Sequence, residues 1–194
     1  EILFVLFFLP FLSISQLTDD FSDGDFSTNL EWNGSTTDFI INSDQRLQLN
    51  NSQASTSYLS TPHNFTSFEQ KEWRIWTKQS FSPSSSNYAR IYLTADNPDL
   101  TIAENGYYIQ LGESGSNDAL RLYKLENGTS TLICSGTDGQ IASSFNVGLR
   151  VTFAGIWNIY ADFNGGTDYS LQSSNSDASF IMGSYFGFID TYTV

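Results

Sequence analysis

From Leu17 onward, apolar and polar residues alternate in short runs of period two, separated by clusters of Gly, Asn, Asp, Ser and Pro. Nowhere do apolar residues recur at helical spacing over three turns. The pattern predicts strands over residues 39–49, 57–60, 72–81, 88–95, 106–112, 119–125, 131–135, 147–154, 156–163 and 185–191. Turn chemistry falls between them. Asn127-Gly128 and Asp138-Gly139 tolerate the positive φ of tight turns, Asn164-Gly165-Gly166 closes another reversal, and Asn97-Pro98-Asp99 starts a loop. Strands at this spacing predict an all-β chain folded as a two-sheet antiparallel β-sandwich of jelly-roll type.

Alternation also sorts the faces of each strand, because successive side chains point to opposite sides. In residues 88–95 it sends Ala89, Ile91, Leu93 and Ala95 to the core and Tyr88, Arg90, Tyr92 and Thr94 to the other side. In 72–81, Trp73, Ile75 and Phe81 oppose Arg74, Trp76 and Lys78; in 119–125, Leu120 and Leu122 oppose Arg121 and Tyr123; in 148–154, Leu149, Val151 and Phe153 oppose Arg150 and Thr152. A non-core face rich in arginine and large aromatics has two readings. Flat rings against the C–H face of a pyranose, with planar Arg and Gln groups on its hydroxyls, make a sugar site. Trp76, Tyr88, Arg90, Tyr92, Arg121 and Tyr123 have that composition, with Tyr108 and Gln110 as further members. Equally, Tyr and Arg form stacked cross-strand pairs that only stabilise a sheet.

Residues 2–14 are an apolar run, too short to span a membrane and interrupted by Pro10. They predict the core of a signal peptide over residues 1–15, with its first residues missing, cut after the small Ser13 and Ser15 near Gln16. The expectation is a secreted or cell-surface protein with no membrane span in the mature chain. Residues 16–194 then form one domain, expected to continue past a strand-like C-terminal end that has no turn or polar tail.

Charge narrows the partners. The 194 residues carry 8 Lys and Arg against 21 Asp and Glu, a formal charge of -13. Such a chain has no basic footprint for phosphates, which argues against nucleic acid. Cys134 is the single cysteine, so no intrachain disulfide or multi-cysteine zinc site can form. Any nucleophile–histidine arrangement would have to use His63, the single histidine, which lies in the turn-like Thr61-Pro62-His63-Asn64. Asp19, Asp20, Asp23 and Asp25 surround Gly24, and oxygens spaced around a glycine turn suit a structural Ca²⁺, with Asp190 as a distant ligand. The spacing is not that of an EF-hand, and an acidic turn opening the first strand explains the same residues.

The strings Asp19-Asp-Phe-Ser-Asp-Gly-Asp-Phe26, Trp32-Asn-Gly34, Tyr58-Leu-Ser-Thr-Pro62, Glu72-Trp-Arg-Ile-Trp76, Gly136-Thr-Asp-Gly139 and Ser184-Tyr-Phe-Gly187 resemble concanavalin A-like (laminin-G, jelly-roll) domains of exported Bacteroidetes proteins. The likeness spans nearly all of residues 17–194 and implies the fold and export. It also implies downstream domains of the same chain as partners, since such domains commonly open large surface proteins. It implies little about activity.

Glycoside hydrolases share that fold and need two carboxylates across the scissile bond, placed in laminarinase-like members as Glu-x-Asp-x-x-Glu on one strand. No such triplet occurs, and Glu72 and Glu113 have no carboxylate two residues away. The sequence therefore predicts a non-catalytic module that binds a glycan or polysaccharide, or mediates adhesion at the cell surface. The alternatives are a scaffold domain with no ligand of its own and, last, a glycoside hydrolase.

Overall fold

A computed structural model describes residues 16–177, 179 and 182–193. Residues 1–15, expected to form a signal peptide, lie outside these residues. The strands are β1 (Asn33–Gly34), β2 (Phe39–Ile41), β3 (Leu47–Leu49), β4 (Ser55–Pro62), β5 (Lys71–Gln79), β6 (Tyr88–Ala95), β7 (Gly106–Leu111), β8 (Arg121–Glu126), β9 (Thr129–Ser135), β10 (Phe145–Phe153), β11 (Trp157–Asp162), β12 (Ser170–Asn175) and β13 (Tyr185–Tyr192). Two 3₁₀ turns, Thr36–Asp38 and Leu100–Ile102, interrupt them, and no α-helix occurs among the described residues.

The strands form a seven-stranded sheet ordered β1-β4-β13-β6-β7-β8-β9, a four-stranded sheet ordered β12-β11-β10-β5, and a small β2-β3 ribbon. Every pairing is antiparallel. The expected two-sheet sandwich is the fold. Its last strand, β13, lies in the middle of the large sheet between β4 and β6.

The two sheets bury their inner faces against each other. Val147, Leu149, Val151 and Phe153 of β10 lie inward at every second position, as a half-buried strand requires. Opposite them sit Ile91 and Leu93 of β6, and Tyr107, Ile109 and Leu111 of β7. Aromatic rings fill one end, where Trp157 packs against Tyr107 and Phe153 at centroid distances of 4.8 and 4.9 Å and against Trp73 at 5.8 Å.

The β8–β9 reversal is the two-residue turn that Asn127-Gly128 predicts, with φ of 50° and 72°. The right-handed strand twist favours this mirror-image turn, and glycine makes it inexpensive. Residues 39–49, expected as one strand, are instead the β2–β3 hairpin. The Asn42 side chain accepts the backbone N–H groups of Asp44 and Arg46 and closes the turn. Phe81, expected in the core, lies past the end of β5 and is 53% exposed. β12 was not expected, because its Ser-Leu-Gln-Ser-Ser-Asn sequence is a polar, exposed edge with no apolar alternation.

A bulge shapes β6. Tyr92 pairs with Tyr108 and Thr94 with Tyr107, so Leu93 is an extra residue without an opposite partner on β7. Leu93 and Thr94 are both fully buried. Ala95, expected to follow Leu93 into the inter-sheet core, turns to the other face and packs with Tyr92 and Tyr108.

Candidate functional site

Seven of the eight residues proposed for sugar contact lie on the outer face of three adjacent strands, β6, β7 and β8. They form two cross-strand rows. Tyr92, Tyr108 and Tyr123 are directly opposed, with ring centroids 5.2 and 5.3 Å apart. Arg90, Gln110 and Arg121 make the neighbouring row, and Tyr88 follows Arg90 along β6. Beside this row, β13 contributes Ile189 and Thr191 and β4 contributes Tyr58 and Thr56.

Trp76 is the exception. It lies on β5 in the four-stranded sheet, 37% exposed, with the Arg46 guanidinium of the β2–β3 hairpin 3.9 Å from its ring centroid. Face alternation within a strand was right, but it could not say which sheet the strand joins.

The row of tyrosines is largely roofed. Tyr92 and Tyr108 are only 2% and 1% exposed, because the loop of residues 96–105 folds over them and sets Leu100 into the cluster. Glycine makes room for this roof: a Cβ on Gly187 of β13 would sit 2.9 Å from Leu100 Cδ1 and 2.3 Å from the Leu59 carbonyl oxygen. The loop is tied down at several points. Ser60 Oγ donates to Pro98 O at 2.6 Å, Asp96 accepts from Glu104 N and Asn105 Nδ2, and Gly128 N donates to Glu104 O. Burial pushes the Tyr92 phenol up in pKa, against the opposing pull of the Arg90 guanidinium.

Beside the roof lies a cleft of about 560 Å³, floored by Tyr88, Arg90, Tyr92, Ile189 and Thr191 and walled by Leu100, Thr101, Ala103, Leu125, Gly128, Ser130 and Thr56. That volume is within the usual range for small-molecule sites. Apolar patches alternate with hydroxyls: Thr56 and Thr191 are 3.0 Å apart, and Tyr108 Oη donates to Ser130 Oγ at 2.8 Å. The sequence missed the walls, because they come from β4, β13 and a loop whose neighbours only the strand order reveals.

Arg121 and Arg90 are held differently. Arg121 donates to both Glu113 oxygens and to Asp138, which joins the loops after β7 and β9 and raises the guanidinium pKa. Arg90 donates through Nε to Gln110 Oε1 at 3.2 Å, and its guanidinium carbon lies 4.9 Å from the Tyr108 ring and 5.4 Å from that of Tyr88.

The acidic turn is a series of side-chain-capped bends. Asp19 accepts from Phe21 N and Trp32 Nε1, Asp20 from Ser22 N, Asp23 from Asp25 N and Asn29 Nδ2, and Asp25 from Ser27 N, Thr28 N and Thr28 Oγ1. These bonds hold the carboxyls of Asp20 and Asp25 below the ordinary aspartate pKa. No group of three or more acidic, His or Cys side chains able to hold a metal forms among the described residues. Asp190 lies on β13 between Ser57 of β4 and Ala89 of β6.

The remaining candidates for chemistry are held in structural roles. His63 stacks on Phe65 at 4.3 Å and shares a hydrogen bond of 3.1 Å with Thr94 Oγ1, and burial lowers its pKa to about 4. Cys134 is buried with its thiol pushed up to about 11, far from a reactive thiolate. Glu72 lies on β5 of the four-stranded sheet and Glu113 in the loop after β7; Glu72 pairs with Arg74 and Arg150, and Glu113 with Arg121. No helix among the described residues is long and apolar enough to cross a membrane.

No family model matches the sequence. No curated protein matches it either. Solved structures do match in shape. The carbohydrate recognition domain of Emp47p superposes with a TM-score of 0.64 at 16% identity, covering 91% of this chain and 86% of that one. The exoplasmic/lumenal domain of VIP36, in its Ca²⁺- and mannose-bound form, gives 0.56 at 15% identity, covering 84% and 76%. The carbohydrate binding module CBM66 from Bacillus subtilis gives 0.52 at 16%, covering 81% and 86%. The chain has the concanavalin A-like lectin fold.

Proposed function

We propose that this chain is a non-catalytic carbohydrate-binding domain that takes its ligand in the cleft on the outer face of the seven-stranded sheet. The observation that carries the reading is the convergence of Tyr88, Arg90, Gln110, Arg121 and Tyr123 on one face beside a cleft of about 560 Å³ whose walls mix hydroxyls with apolar groups. The named lectin and carbohydrate-binding neighbours support the same class. The pairing of both candidate glutamates with arginine supports a binding role over hydrolysis, because a general acid needs a raised pKa, whereas the arginines beside Glu72 lower its own. The apolar leader at residues 1–15 supports export, with the domain displayed at the cell surface and joined to downstream domains.

Calcium stands outside this reading. VIP36 was solved with the ion, but here the carboxylates of Asp19, Asp20, Asp23 and Asp25 serve backbone and side-chain N–H groups of their own turn and do not fit a cation shell. The scaffold reading has one observation in its favour: Tyr92 and Tyr108 are buried under the protein's own loop and act as core.

A glycan array followed by calorimetry decides between them. Binding should appear for a defined oligosaccharide and be lost in Tyr88→Ala with the melting temperature kept. A blank array with a folded protein would make the domain a scaffold.

A further inference from the structure

Granting that the cleft takes a sugar, the reading on which this step rests, we propose that the sugar is acidic and that Arg90 receives its anionic group.

Carboxylates outnumber basic residues 21 to 8 in this chain, so an arginine would be expected to find one. The other outward-facing arginines of the two sheets do: Arg74 and Arg150 share Glu72, and Arg121 holds Glu113 and Asp138. Arg90 has no carboxylate within ion-pair distance among the described residues, and no Asp or Glu lines the cleft. It is nevertheless fixed in place. Gln110 is itself oriented by donating Nε2 to Gly112 O at 3.0 Å, which presents its Oε1 to Arg90 Nε, and two tyrosine rings flank the guanidinium. A half-buried, immobilised guanidinium in a cleft without acidic walls is a prepared anion receptor, because an ionised partner offsets the desolvation that a neutral one leaves in place.

A planar sugar carboxylate matches the fork of an arginine in two parallel hydrogen bonds; a sulfate ester offers the same oxygens in another geometry. Around it, the hydroxyls of Thr56, Thr101 and Thr191 can meet sugar hydroxyls, and Leu100, Leu125 and Ile189 its C–H face. The net charge of -13 opposes a polyanion at long range, but screening confines that repulsion to about 8 Å at physiological salt.

The test uses the full chain in calorimetry against oligogalacturonate, its fully methyl-esterified form, dextran and dextran sulfate. The free acid should bind at least about tenfold more tightly than its methyl ester, the worth of one charge-assisted hydrogen bond, and weaken with added salt. Arg90→Gln should erase that difference at an unchanged melting temperature, and Arg90→Lys should keep part of it. Preference for dextran sulfate over both dextran and oligogalacturonate, lost in Arg90→Gln, would assign the group as sulfate. Equal binding of acid, ester and neutral dextran, abolished by Tyr88→Ala, would overturn the acidic assignment and leave the carbohydrate reading standing. Failure of every glycan to bind would end both.

Discussion

Asp190 offers a test of the fold that runs against the usual effect of removing a native charge. Its strand neighbours Phe186 and Phe188 pack into the aromatic cluster around Trp32 and Phe39, and its cross-strand partners are Ser57 and Ala89. Loss of hydration there pushes its carboxyl up to about 7. The folded state therefore holds a proton that the unfolded chain releases near pH 4, where an aspartate ordinarily titrates. This contribution to stability is fully present below pH 4, declines as pH rises toward 7, and then levels. A displacement from 3.8 to about 7 is roughly 3 units, an upper bound of about 4 kcal/mol, of which roughly 2 units, or at most about 3 kcal/mol, fall between pH 5 and 8; the residual solvent contact of Asp190 reduces that share to about 2 kcal/mol. Asp190→Asn keeps the shape and removes the titration. Urea unfolding at pH 5, 6, 7 and 8 should show the variant gaining about 2 kcal/mol on the parent between the first and last pH, whatever their offset at pH 5. Asp20, Asp25, Asp162 and Glu72, whose pKa values are lowered, contribute with the opposite sign and below this window, and they cancel in the comparison. A parent–variant difference that stays constant from pH 5 to 8 would mean that Asp190 is not held protonated by the fold in this range.

Trp157→Ala removes a fully buried ring that touches Tyr107, Phe153 and Trp73, and should cost about 3–5 kcal/mol in urea unfolding. Gly187→Ala forces the new methyl against Leu59 O and Leu100 Cδ1; a melting temperature lowered together with faster proteolysis in residues 96–105 would show that the roof has lifted. Trp76→Ala should leave glycan affinity unchanged, since Trp76 belongs to the opposite sheet, and a loss of binding in calorimetry would move the site there. Calcium added to the protein should leave its melting temperature unchanged, and a rise that EDTA reverses would restore a cation to the acidic turn.

What could be read from the chain was local. Alternation placed Leu149, Val151 and Phe153 inside and Tyr88, Arg90, Gln110, Arg121 and Tyr123 outside, because a strand with one buried face writes that division into every second residue. The turn at Asn127-Gly128 was legible because few dipeptides accept two positive φ values. What could not be read was non-local. Trp76 carries the same local pattern as Tyr92, yet strand order puts them in different sheets. Residues 96–105 read as a loop, and only the pairing of β6 with β13 shows that the loop comes down over Gly187 and buries Tyr92 and Tyr108. The acidic turn was ambiguous for a related reason, since the same aspartate oxygens can cap backbone amides or hold an ion, and only geometry separates these uses.

The bulge at Leu93 sets the parity of β6. Upstream of it, odd positions face the inner core and Arg90 faces the cleft; downstream, Thr94 is inward and Ala95 outward, in step with the anchored loop. Deletion of Leu93 would leave Tyr92 next to Thr94, opposite Tyr108 and Tyr107, a regular ladder in which both halves of the strand keep their faces. Deletion of Ile91 instead, with the bulge kept, would bring Arg90 into the space between the sheets without a counter-ion, at a cost of several kcal/mol. In β6 the bulge is thus the place where a change of length by one is absorbed, at the cost of the buried Leu93 side chain and with no other residue turned over.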